Sequence, residues 1–125
     1  MTPFDSFITF GATTDLAATS AFYGEVLGLP LVLDQGRCRI WRAARAGYVG
    51  FCLRDSVSTQ GVILTLVSDD VDGWHRRLVD HGVPIEKAPA LNPEYGIYHL
   101  FCRDPNGYLV EIQRFEDPNW RGSGI

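Results

Sequence analysis

The sequence predicts an α+β domain of two tandem βαβββ modules, about 6–54 and about 61–115, forming a curved mixed sheet, a half-barrel, around a concave pocket. Three observations predict it. Gly28 stops one helical stripe and Gly82 stops another, and the segments that follow, Leu29-Pro-Leu31 and Val83-Pro-Ile85, mirror each other. Each helix is then followed by apolar runs with strand-like alternation. The last such run leaves the turn Asp104-Pro-Asn-Gly107 and carries one carboxylate, Glu111, among apolar neighbours. A twisted sheet with one helix is covered on one face only, so two copies side by side can curl around a hollow.

The elements follow in order. Phe7 to Ala12 reads as a strand, and Asp15 is the N-cap of a helix whose apolar face combines Leu16, Phe22, Tyr23, Val26 and Leu27. Leu29–Leu33, Arg37–Arg42 and Tyr48–Leu53 read as three strands. Polar, turn-rich residues from Arg54 to Gly61 join the halves. The second half opens with the strand Val62–Val67. Asp69-Asp70 caps a helix with the stripe Val71, Trp74 and Leu78. Lys87 to Glu94 reads as a Pro/Asn-rich loop, and Gly96–Cys102 and Tyr108–Arg114 as a hairpin. Residues 116–125 form a tail.

Composition narrows the functional classes. At 125 residues and 46% hydrophobic the chain can bury the core of one domain without disulfide staples. A net charge of −4 with no basic block argues against nucleic acid and anionic membrane surfaces as partners. The three cysteines, Cys38, Cys52 and Cys102, lie inside strand-like runs and read as buried thiols of a reducing compartment. With neither a signal-peptide pattern nor an apolar run long enough to span a bilayer, the expected location is the cytoplasm.

Alternation sends Val110 and Ile112 beneath the helices and Leu109, Glu111 and Gln113 into the concavity. In the first half Cys38 and Ile40 take the helix side, so Arg37, Arg39 and Trp41 take the other. An arginine beside an aromatic there suits a carboxylate or a flat ring. Tyr95 and Trp120 are candidates for the pocket mouth, with packing the alternative for Trp120. His75 and His81 fall on the second helix, facing solvent.

Asp15-Leu16, Ala21-Phe-Tyr23 and Val26-Leu-Gly-Leu29 in the first half, with Asp69-Asp-Val-Asp72, Asp104-Pro-Asn-Gly107 and Glu111 in the second, resemble the vicinal oxygen chelate superfamily. This is the glyoxalase, bleomycin-resistance protein and extradiol dioxygenase group. The resemblance runs from about Phe7 to Phe115 and is more specific for fold than for activity. It implies a divalent metal held in the concavity by His, Gln or Glu from the first and last strands of each half. Glu111 matches the final carboxylate, but Ile8, Phe51 and Val62-Ile63 fall at the other positions, and none of them can ligate. No cofactor is therefore expected.

The family's hairpin pairing places His99 and Phe101 on the face of Glu111, His99 as a near or diagonal cross-strand neighbour. The resulting expectation is a metal-independent small-molecule-binding protein, working by sequestration and, by analogy, as a homodimer. Its catalytic candidates are Glu111 and His99, and its ligand-binding candidates Arg39, Trp41, Phe51, Tyr95, Phe101 and Gln113. The alternatives are a metal-dependent lyase, isomerase or dioxygenase using Glu111 as a ligand, and a metal-free acid/base enzyme with Glu111 as base and His99 as donor.

Overall fold

A computed structural model describes residues 2–120, and it is α+β, with two mixed four-stranded sheets. In the first unit β1 (Phe7–Thr13) leads to α1 (Leu16–Ser20), which continues as a π-helical turn (Ala21–Val26). Strands β2 (Leu31–Asp34), β3 (Cys38–Arg42) and β4 (Gly47–Leu53) follow. The second unit repeats this as β5 (Ile63–Val67), α2 (Val71–Asp80), β6 (Ile85–Asn92), β7 (Ile97–Arg103) and β8 (Leu109–Phe115). The sheets have equivalent orders, β1-β4-β3-β2 and β5-β8-β7-β6, with only the first-to-last pair parallel in each. Chain contacts divide between Gln60 and Gly61, and the turn Asp104–Gly107 belongs with the first unit although it joins β7 to β8.

Local chemistry sets the boundaries. Asp15 accepts a hydrogen bond from Ala18 N at 3.0 Å and Asp70 one from Gly73 N at 3.0 Å, so both helices start on carboxylate caps. Both are followed by a left-handed glycine, Gly28 and Gly82, each at φ 73°. In the π turn Leu27 N donates to Phe22 O at 2.9 Å. That wider turn lets the consecutive Phe22 and Tyr23 both be buried. Tyr23 is the hub of an aromatic cluster, with ring centroids 4.9 Å from Phe22, 4.7 Å from Phe51 and 5.9 Å from Trp41. Its hydroxyl donates to Asp104 Oδ2 at 2.7 Å. Asn106, in the same turn, accepts from Thr13 Oγ1 at 2.6 Å and donates to Thr19 Oγ1 at 3.1 Å, and Gly107 closes the turn at φ 93°. In the second unit Val71 and Leu78 of α2, with Leu100, Cys102, Val110 and Ile112 of the sheet, are buried.

Three expectations fail. The segment from Lys87 is strand, not loop, as far as Asn92. β6 is an edge strand whose pairing with β7 shifts register between Lys87 and Ala90, and Pro89 is accommodated at that irregularity. Cys38 and Cys52 are not separate thiols: the β3–β4 register sets them opposite each other, Cα atoms 4.0 Å apart, and they form a disulfide. Only Cys102 remains a buried thiol, so the cysteines lose their force as a sign of a reducing compartment. The faces of the first sheet are also reversed. Trp41 and Phe51 meet Tyr23, and Arg39 Nη1 donates to Ser20 Oγ at 2.7 Å, so these three lie on the side of α1. Cys38, Ile40, Gly50 and Cys52 take the face opposite α1. A Cβ at Gly50 would come within 2.6 Å of the Phe10 ring and 3.3 Å of Ile40, which places Phe10 there too. Among the described residues no helix is long and apolar enough to cross a membrane.

Candidate functional site

In the second sheet the alternation holds. Val110 and Ile112 are buried in the core, while Tyr98 donates to Asp72 Oδ1 at 2.6 Å and Arg114 to Asp69 O at 3.1 Å, both on the α2 side. The Asp72 hydrogen bond pushes the Tyr98 phenol above its usual range. Glu111 and Gln113 of β8 therefore project from the face opposite α2, with Thr65 of β5 opposite Glu111 and with His99 and Phe101 of β7 opposite Gln113 and Glu111.

These side chains converge on one carboxylate. His99 stands diagonal to Glu111 and brings Nδ1 to 2.6 Å from Oε2. Thr65 Oγ1 donates to Oε1 at 2.8 Å. The Gln113 amide, turned with its nitrogen toward the carboxylate, donates to Oε2 at 3.0 Å and Oε1 at 3.2 Å. Donors on both oxygens are what a buried carboxylate needs to stay an acceptor, and Glu111 is 8% exposed. A carboxylate facing Nδ1 holds the imidazole with its proton on that nitrogen. The other nitrogen, Nε2, is buried with no hydrogen-bond partner, on a residue 3% exposed. The Phe101 ring stands edge-on to the imidazole at 5.0 Å and limits its rotation.

The predicted site residues therefore divide. Glu111, His99, Gln113 and Phe101 are brought together. Arg39, Trp41 and Phe51 are not: they lie under α1, Trp41 and Phe51 as fully buried core, because the first sheet presents the opposite parity. Tyr95 stands in the turn at 93–96, 66% exposed, and Trp120 stacks on Phe115 at 4.1 Å, the packing role. His75 is half-buried and His81 exposed. The remainder of the predicted tail, 121–125, lies outside the described residues. Sequence reasoning missed Thr65, the third group on the carboxylate. Its signal was a lone hydroxyl inside the apolar run Ile63–Val67, on the strand that pairs with β8.

The donor set does not suit the divalent metal that the resemblance implies. Catalytic sites of this kind use about three protein ligands; among the described residues no three His, Cys, Asp or Glu groups are gathered to hold a metal ion, and Gln113, the remaining ligand type here, turns its amide nitrogen to the Glu111 carboxylate. His99 Nδ1 and Glu111 are engaged with each other. The face of the first sheet opposite α1 carries Phe10, Ala12 and Gly50, with Cys52 tied into the disulfide.

Comparison with known proteins gives a consistent pattern. The family model described as the Glyoxalase/Bleomycin resistance protein/Dioxygenase superfamily matches residues 9–112. No curated protein matches the chain. Among solved structures, lactoylglutathione lyase from Agrobacterium tumefaciens superposes with a TM-score of 0.77 at 24% identity, covering 96% of this chain and 100% of that one. A glyoxalase/bleomycin resistance protein/dioxygenase from Alicyclobacillus acidocaldarius gives 0.76 at 19% identity, covering 93% and 95%. TioX from Micromonospora sp. ML1 gives 0.73 at 23%, covering 87% and 97%. At these identities the likeness is one of fold.

Proposed function

Since the chain belongs to the glyoxalase/bleomycin resistance protein/dioxygenase superfamily, we propose that it binds a small organic molecule without a metal, at the buried polar cluster on the face of the second sheet opposite α2. The observation that carries this reading is the pair itself: a carboxylate satisfied by His99, Thr65 and Gln113 that leaves His99 Nε2 over. A buried polar atom without a partner costs about 1–3 kcal/mol, which a ligand hydrogen bond would offset. With Nδ1 carrying its proton toward Glu111, a neutral ring offers Nε2 as an acceptor, so the ligand presents an O–H or N–H group. Phe101 supplies an apolar edge beside it.

The same geometry favours a second reading, metal-free proton transfer, with the roles of the sequence expectation exchanged. Glu111, saturated with donors, orients the ring, and His99 Nε2 takes the proton. The working unit in the proposal is a homodimer, as the family resemblance implies, and light scattering on gel-filtered protein tests it. Thermal shift against a metabolite library, run in EDTA and repeated with nickel, zinc, manganese and iron(II), tests the binding reading. Ligands carrying O–H or N–H groups should stabilise the protein equally in both conditions, and stabilisation that requires a metal ion would overturn it.

A further inference from the structure

A second feature lies on the face of the first sheet opposite α1 and owes nothing to the His99–Glu111 pair. An open cavity of about 520 Å³ is walled by Phe10 and Ala12, rimmed by Gln35 and Arg54, and bordered by both halves of the Cys38–Cys52 disulfide. The two cysteines are directly paired residues of adjacent strands, and the rest of the β3–β4 pairing, from Arg39 opposite Phe51 to Arg42 opposite Tyr48, with Leu53 N donating to Arg37 O at 2.7 Å beside the bridge, holds that ladder independently. The hairpin therefore keeps its register whether or not the sulfurs are joined. One exposed guanidinium, that of Arg54, lines the cavity; its Nη1 donates to Leu53 O at 2.9 Å, an oxygen that also accepts from Arg37 Nη2 at 3.3 Å. No acidic residue lines the cavity, and Asp34, the nearest acid in sequence to Gln35, is turned to Gly36 N and to Arg39.

From this we infer that the cavity is a thiol-exchange site for a small anionic thiol, drawn in by Arg54 and reacting with the Cys38–Cys52 bridge. The incoming thiolate forms a bond to Cys38 sulfur, which belongs to the less buried of the two residues. The electron pair of the old S–S bond leaves on Cys52, which takes a proton from water. A second thiol attacks the mixed disulfide, releases a small-molecule disulfide and leaves Cys38 reduced. Two thiols thus supply the two electrons. The state of the bridge then sets the shape of this cavity border while the sheet stays folded.

The test begins with thiol titration in denaturant without reductant, which should find Cys102 alone; three titratable thiols would overturn the proposal. Native protein is then reduced with mercaptoacetate, 2-mercaptoethanol or cysteamine at matched thiolate concentration, quenched with iodoacetamide, and digested for mass analysis. Normalised to each thiol's rate on a small-molecule disulfide, mercaptoacetate should exceed neutral 2-mercaptoethanol by about fivefold, the advantage of one favourable charge contact in water, with cysteamine slower than both and the transient adduct on Cys38. Arg54→Gln or high salt should bring the normalised rates together. Equal normalised rates for the three thiols in the unmodified protein, or reduction only in urea, would overturn it.

Discussion

Replacing His99 with leucine should leave the fold about as stable as before while abolishing ligand binding. The substitution removes one charge-assisted hydrogen bond to Glu111, worth about 1.5–3 kcal/mol, and an edge-on aromatic contact worth about 0.5–1.5 kcal/mol. It also removes the buried, unpartnered Nε2, recovering about 1–3 kcal/mol, and gains apolar burial of roughly 1 kcal/mol. These nearly cancel, so the net change should stay within about 1 kcal/mol. Glu111→Leu is the informative contrast, because it leaves His99 Nδ1, the Thr65 hydroxyl and the Gln113 amide without the acceptor they share. At about 1–3 kcal/mol per stranded group, less the relief from removing a buried charge, it should cost roughly 2–4 kcal/mol more than His99→Leu. Urea unfolding followed by tryptophan fluorescence gives both free energies. If His99→Leu proves as destabilising as Glu111→Leu, the imidazole is a structural group satisfied on both nitrogens, and the reasoning fails.

Tyr23→Phe keeps the ring contacts and removes only the hydroxyl on the buried Asp104, so urea titration should show a loss of about 1.5–3 kcal/mol. Trp41→Ala should cost about 3–5 kcal/mol as a core truncation, and in a thermal-shift series the loss should appear equally with and without ligand. On the surface, the hydrogen bond from Arg103 holds the Glu86 carboxyl below its ordinary value of 4.5. The stabilisation from this pair is therefore complete above pH 4.5 and is lost as pH falls through the lower, folded-state value. Carboxyl NMR titration should place the Glu86 midpoint below 4.5, with Arg103→Gln returning it upward.

The fold was legible because its punctuation is local. Asp15 and Asp70 cap helices, Gly28 and Gly82 end them, and Asp104-Pro-Asn-Gly107 turns the last hairpin, each for reasons contained within a few residues. The polar cluster of the second sheet was legible through strict alternation in β8 and the hairpin register. The first sheet misled because Cys38 and Ile40 are as apolar as Trp41 and Phe51, so period two gives no direction when both faces are covered by apolar residues. The disulfide was hidden by the same gap: sequence spacing does not reveal which residues of β3 and β4 stand opposite one another. Thr65 became part of the site only when the β5–β8 register was known.

The central claim is that Glu111 fixes the proton of His99 on Nδ1 and leaves Nε2 for a ligand. Nitrogen-15 NMR of histidine-labelled protein, recorded above the histidine titration range, reads the tautomer directly. The account predicts a protonated Nδ1 and a bare Nε2 for His99, with Nε2 shifting on ligand addition and the preference weakening in Glu111→Gln. A proton on Nε2, unmoved by ligand or by that substitution, would contradict it.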